Sequence, residues 1–147
     1  DIPYANADAN NNWPFLRYAD VLLMYAECLI QTGDLTSAAD YINQIRRRGF
    51  GYQSTEVGSP ADILAISKDQ LFLAVEKERR NELAFEGHRW FDLIRTGKVF
   101  EAVKNRGNDI GEDESPVIEL SPKALVWPIH LEELRRSKLI EQNEYYK

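Results

Sequence analysis

The chain has 147 residues, 44% hydrophobic and 29% charged, with a formal net charge of −6; these values suit a single domain, 1–147, with a real core and describe a globular chain, not a disordered one. The excess of 24 acidic over 18 basic residues lacks the basic surface that nonspecific nucleic-acid binding needs. No apolar run approaches the ~20 residues of a membrane span, and Cys28, the only cysteine, excludes an internal disulfide.

Residues 1–12 are polar and Asn-rich and read as loop, closed by Trp13-Pro14. From about Phe15 to Thr32, Tyr18, Leu22, Tyr25, Ala26 and Leu29 recur on one helical face, and Gly33 stops the helix. A second helix, from about Thr36 to Arg48, carries the stripe Leu35, Ala38, Ala39, Ile42 and Ile45; Arg46, Arg47 and Arg48 load its last turn, where cations suit the helix dipole. The link Gly33-Asp34 allows only an antiparallel hairpin. That hairpin resembles one tetratricopeptide unit without its usual closing proline, and no second copy follows at a 34-residue period. One unit cannot bury both faces, so other parts of the chain must cover it.

Residues 50–66 read as a long loop with a short helical turn after Pro60. Ser67 to Gln70 is a capping box that opens a third helix reaching Glu86. Gly87 bends it, His88 to Thr96 form a fourth segment ended by Gly97, and 98–105 add a short helix. An acidic loop, 106–116, precedes two short extended pieces, 117–120 and 125–127. A helical turn or two near Leu131 to Arg136 and an irregular tail finish the chain. The fold class is mainly α, with helical hairpins, long loops and few or no short strands.

Charge and bulk alternate most densely between Glu78 and Lys98. As a helix, Lys68 to Glu86 places Leu71, Phe72, Val75, Leu83 and Phe85 on one broad face, together with Glu78, Arg79, Glu82 and Glu86. A charge in an apolar seam is costly unless paired and hydrogen-bonded. The pattern therefore asks for an internal carboxylate–guanidinium network, with Arg79, Arg80, Arg89 and Arg95 as candidate partners. Glu78, Glu82 and Glu86 lie four apart and repel one another unless arginines intervene, while Glu86–Arg89, Arg89–Asp92 and Asp92–Arg95 have the three-residue spacing of helix neighbours. This favours a structural ladder over the poised acid and base of a hydrolase.

Four blocks carry a family resemblance. Trp13-Pro14-Phe15-Leu16-Arg17-Tyr18 through Glu27 looks like the opening of the C-terminal part of the SusD/RagB family, and Ile42-Asn43-Gln44-Ile45-Arg46 like its next helix. The run Glu78 to Gly97 is similar to the family's Glu-Arg-Arg-x-Glu-Leu-Ala-Phe-Glu-Gly-x-Arg-Trp-Phe-Asp-Leu-x-Arg. Val126-Trp127-Pro128-Ile129, with Glu133-Leu134 and Gln142-Asn143, is similar to its closing segment. His130 stands where a second proline is usual, and Glu144-Tyr145-Tyr146 replaces Pro-Gly-Tyr.

The resemblance implies the C-terminal part of a longer, surface-exposed outer-membrane lipoprotein, lipid-anchored through an N-terminal segment absent here. Such a protein is non-catalytic; it binds glycans or other nutrients and passes them to a TonB-dependent outer-membrane transporter. The alternative, resting on the hairpin alone, is a helical-repeat scaffold that binds a protein segment. No family binding motif maps onto particular residues. Tyr4 and Tyr52, among polar or glycine neighbours, are the candidate ligand platforms, although single surface aromatics are common without a ligand. Trp90 and Trp127 read as core. His88, His130 and the loop 109–114 lack metal-site spacing, so no metal or cofactor is expected. Cys28 reads as a small buried apolar residue.

Overall fold

A computed structural model describes residues 15–64, 67–104 and 119–147. They form helices α1 (Tyr18–Thr32), α2 (Leu35–Gly49), α3 (Lys68–Glu82), α4 (His88–Arg95), α5 (Val99–Lys104) and α6 (Leu131–Arg136), with 3-10 turns at Pro122–Leu125 and Glu144–Tyr146. The architecture is mainly α, and no strand occurs among the described residues. Of the extended pieces, 117–118 lie outside the described residues, and Leu125 belongs to a 3-10 turn. The chain divides into two compact units, 1–86 and 87–147.

In the first unit, local signals place the helix ends. Gly33, at φ 92°, lets its own N–H and that of Asp34 reach back to the Leu29 carbonyl at 3.0 and 2.9 Å, satisfying the end of α1. The Asp34 carboxylate then accepts the Ser37 N–H at 3.1 Å and opens α2. Ser67 caps α3: its hydroxyl oxygen accepts the Gln70 N–H and donates to Gln70 Oε1.

α1, α2 and α3 pack on one another. Ala26, Ala38 and Ala39 let the hairpin close tightly, and Ile30, Ile42, Leu71 and Val75 fill the space between it and α3. Leu23 and Ile45 extend the core along the hairpin with Ala19 and Leu22. Each large aliphatic side chain so buried contributes roughly 1.5–3 kcal/mol.

α3 ends at Glu82, one turn short of the expected Glu86. Residues 83–87 form a corner in which Phe85 has φ 66° and Gly87 φ 84°. The expected apolar face therefore stops at Leu83, which is 3% exposed, whereas Phe85 leaves the helical register and is fully exposed. A left-handed backbone is costly for a β-substituted residue, and among the described residues the fully exposed phenyl packs on nothing that would offset it. Phe85→Gly is expected to stabilise this chain by about 0.5–1 kcal/mol, less than the full strain because glycine gains freedom when unfolded. A lower urea midpoint would contradict this.

In the second unit, Leu93 of α4 and Val99 of α5 are buried. The closing segment is joined by side-chain amides: Gln142 accepts the Ile129 N–H at 2.8 Å and donates to the Ile129 carbonyl at 3.0 Å. Asn143 donates to the Trp127 carbonyl, and the Tyr146 hydroxyl donates to the Val126 carbonyl at 3.2 Å. Trp127 and Trp90, expected in the core, are 86% and 39% exposed: the amide bonds hold the Trp127 backbone and leave its ring outside. Cys28, expected to be buried, is exposed on α1.

Candidate functional site

The charges of the first unit gather at three places, each joining elements distant in sequence. At the start of α1, Arg17 grips the corner after α3. Its Nε and Nη2 donate to the two oxygens of Glu86 at 2.9 and 2.7 Å, Nη1 donates to Glu82 Oε1 at 2.8 Å, and Nη2 also reaches the Glu82 carbonyl at 2.7 Å. Arg48 of α2 pairs with the same Glu82 carboxylate. A planar guanidinium with five donors suits this multiple grip, and it occupies a carbonyl at the end of α3 that has no partner within the helix.

Deeper in the unit, Arg79 Nη1 of α3 donates to Asp20 Oδ1 of α1 at 2.6 Å, with side chains 7% and 5% exposed. Glu78 accepts from Arg46 of α2 at 3.1 Å, and the same Arg46 donates to the Ala61 carbonyl at 2.8 Å. These pairs tie α3 to both helices of the hairpin.

The third centre holds the loop after α2. Arg47, 2% exposed, donates through Nε and Nη2 to the two oxygens of Asp62, each at 2.7 Å, and through Nη1 to the Ser54 carbonyl at 3.0 Å and Asp40 at 3.3 Å. Asp62 also accepts from the Gly58 N–H and the Ser59 hydroxyl. Asn43 completes the attachment, exchanging hydrogen bonds with both backbone groups of Ile63. The expected helical turn after Pro60 is a bonded turn instead, because Asp62 faces Arg47.

These contacts move the titrating groups in one direction. The hydrogen-bonded Arg47 guanidinium holds Asp62 well below the usual carboxylate range, and Arg47 is raised by the same bond. Burial pushes the Glu82 carboxyl up, but hydrogen bonds from Arg48 and Arg17 outweigh it and leave Glu82 lowered. Arg17 is raised, first by Glu86 and then by Glu82. Glu82 and Asp62 are thus stabilised as anions, the opposite of a carboxyl tuned toward neutrality for acid–base catalysis.

The pH dependence follows. Asp62 and Glu82 have lowered folded values, so the unfolded chain binds more protons as pH falls below its ordinary carboxylate range near about 4. Their stabilisation is present above that range and is lost as pH falls through the folded values. The urea midpoint is expected to decline between about pH 5 and pH 2, and less steeply in the Asp62→Asn, Glu82→Gln double variant. The same decline in both proteins would place the acid sensitivity elsewhere.

Of the residues singled out by spacing, Glu78, Arg79, Glu82 and Glu86 meet partners from α1, α2 and the segment just before α1. In the second unit Arg95 Nε donates to Asp92 at 2.9 Å, three residues apart as expected, and the Thr96 hydroxyl donates to the Asp92 carbonyl at 2.7 Å. Arg17, Asp20, Arg46, Arg47, Arg48 and Asp62 were not singled out as network members. The readable signal was three consecutive arginines on a helix whose last turn faces a loop containing an aspartate. Tyr4 lies outside the described residues. Tyr52 is half-buried, and its N–H donates to the Arg47 carbonyl at 2.8 Å. No group of three or more His, Cys, Asp or Glu arranged to hold a metal ion occurs among the described residues.

A cleft of about 240 Å³ opens between α1 and α2, beside the Arg17 and Arg48 pairs. Ala19, Leu22 and Ile45 contribute apolar lining, and Tyr18, Gln44 and Ser54 add polar atoms. It falls below the ~300–1,000 Å³ of ordinary ligand clefts, so it has room for one ring or one side chain.

The SusD family model matches residues 1–146. The chain belongs to the SusD family. It is 35% identical over 138 residues to SusD-like protein P38 of Formosa agariphila, covering 93% of this chain and 25% of that protein. SusD-like protein P25 of the same organism is 30% identical, over 92% of this chain and 24% of that protein. Among solved structures, a SusD homolog from Bacteroides thetaiotaomicron superposes with a TM-score of 0.72 at 31% identity, covering 96% of this chain and 30% of that one. A SusD superfamily protein from Bacteroides vulgatus gives 0.65 at 32% identity, over 90% and 27%. The chain thus spans about a quarter of the curated relatives it matches.

Proposed function

We propose that this chain is the C-terminal part of a cell-surface, lipid-anchored outer-membrane protein that binds a glycan, or another nutrient, and delivers it to a TonB-dependent transporter without catalysing a reaction. The observation that carries this reading is the family match over residues 1–146. In this role the pairs made by Glu78, Arg79, Glu82 and Glu86 tie elements together, the Asp92–Arg95 pair braces α4, and with Arg89 in the same run they form a framework that contacts no nutrient. The fixing of Asp62 and Glu82 as paired anions supports the framework role.

Tyr52 is proposed as a ligand contact only at the edge of the loop that Arg47 and Asn43 hold in place. The test is glycan-array binding by the intact protein, followed by co-purification with outer-membrane components under mild detergent. Specific capture of an oligosaccharide family, with no change in its length on prolonged incubation, is expected. Progressive shortening of the captured glycan would overturn the non-catalytic reading.

A further inference from the structure

The loop after α2 is held more firmly than its share of the core requires. None of residues 50–58 is buried, and between 50 and 64 only Ser59 and Ala61 are. Yet Arg47, Asn43 and Arg46 all fix it, through Asp62, Ile63 and the Ala61 carbonyl. At its start the N–H groups of Phe50, Gly51 and Tyr52 close on the carbonyls of Arg46, Arg48 and Arg47 at 2.9, 3.1 and 2.8 Å. A loop so fixed presents its exposed side chains in one arrangement, which spares a ligand the cost of ordering them.

What it presents is an aromatic ring beside unspent polar groups. Phe50 is 65% exposed, and the Arg46 guanidinium lies over its ring, 5.5 Å from the centroid, within cation–π range. Arg46 is itself held by Glu78 and the Ala61 carbonyl, so the ring is braced from one face while most of its surface stays open. Next to it, Gly51 leaves space: its two chain neighbours aside, no described atom lies within 4 Å of where a Cβ would stand. The Tyr52 hydroxyl and the side chains of Gln53 and Thr55 make no hydrogen bond to any described residue.

An apolar ring beside free hydroxyl and amide groups suits a sugar, which has an apolar C–H face and an edge of hydroxyls. An apolar peptide side chain would leave those polar groups without partners. Charge narrows the class. Residues 49–67 contain no lysine or arginine, and Glu56 is exposed. The neighbouring Arg46, Arg47 and Arg48 are each paired with a carboxylate. A uronate or sulfated sugar would meet no free counter-charge here, whereas a neutral one needs none.

We propose that the loop 50–58 contacts one neutral sugar ring, which stacks on Phe50 over Gly51 and exchanges hydrogen bonds with Tyr52, Gln53 and Thr55. This rests on the reading that the intact protein binds glycans, and names a contact and a sugar class within it.

The test uses the full-length protein, with the neutral and acidic oligosaccharides of a glycan array as probes and calorimetric titration of those captured. Neutral glycans are expected among those captured. Phe50→Ala is expected to bind them at least about fivefold more weakly, and Phe50→Trp within about twofold of the unsubstituted protein. The Gln53→Ala, Thr55→Ala double variant is expected to bind at least about threefold more weakly at an unchanged urea midpoint, since neither side chain is bonded within the described fold. If Phe50→Ala also lowers the midpoint, this double variant decides. Affinity within about twofold in the double variant, or in a Phe50→Ala of unchanged midpoint, would overturn the inference, as would capture confined to uronate- or sulfate-bearing glycans. Capture of no glycan by the unsubstituted protein would instead defeat the underlying reading, and the inference with it.

Discussion

Arg79→Met is expected to lower the unfolding free energy of the chain by about 3–5 kcal/mol, the largest effect of any single substitution considered. Arg79 and Asp20 are both almost wholly buried and meet at 2.6 Å. Methionine fills much of the same volume, so the loss comes from leaving the Asp20 carboxylate in an apolar seam without its guanidinium. Desolvating an ion costs several kcal/mol, and only the partner repays it. Two companion variants separate charge from packing. Asp20→Asn takes the counter-charge from the buried Arg79 guanidinium but keeps a hydrogen-bond acceptor for it, so it is expected to lose less. Asp20→Leu combined with Arg79→Met removes both charges and is expected to regain much of the single-variant loss. Urea unfolding followed by circular dichroism measures all three. A double variant at least as unstable as Arg79→Met alone would mean that the pair acts through packing alone.

Arg47→Met should have the second largest effect, concentrated in the loop after α2. Arg47 is the hub of that loop: it binds both oxygens of Asp62 and the Ser54 carbonyl, and Asp62 in turn receives the Gly58 N–H and the Ser59 hydroxyl. Without it, Asn43 still attaches the loop at Ile63 and Arg46 at the Ala61 carbonyl. The urea midpoint is expected to fall, and cleavage by a broad-specificity protease between Gln53 and Gly58 to become at least about tenfold faster under native conditions, because local opening no longer breaks a bidentate ion pair. Arg47→Lys is expected to rescue only part of this, since one ammonium cannot reproduce the two parallel bonds to Asp62. Unchanged cleavage in Arg47→Met would show that Asn43, Arg46 and the turn itself hold the loop.

The helix ends were legible in the sequence wherever they depend on near neighbours. Gly33, Asp34 and the Ser67–Gln70 box each act within a few residues, and the structure places α1, α2 and the start of α3 within three residues of the expected positions. The partners that Glu78, Glu82 and Glu86 take from α2 and the segment before α1 were not legible, because they depend on packing across 32 to 69 residues. Local spacing points from Glu82 and Glu86 toward Arg79, Arg80, Arg89 and Arg95; the fold brings Arg17 and Arg48 to Glu82 and Arg17 to Glu86. The same grip marks where α3 ends, since Arg17 binds the Glu82 carbonyl and the helix turns aside there. Helical periodicity alone carried the expected face on to Phe85, which the corner sends to solvent. The arginine run at 46–48 was readable as dipole compensation; that each member reaches a different carboxylate emerges only from the fold.

In the proposed role the charged run from Glu78 to Arg95 supports a binding protein and touches no ligand. The most direct measurement is calorimetric titration of the full-length Glu82→Gln variant with the oligosaccharide selected by the array, beside its urea midpoint. The predicted result is an affinity within about twofold of the unsubstituted protein, a difference well under 1 kcal/mol, together with a lower midpoint. A tenfold or greater loss of affinity at an unchanged midpoint would contradict the claim and place Glu82 at the ligand.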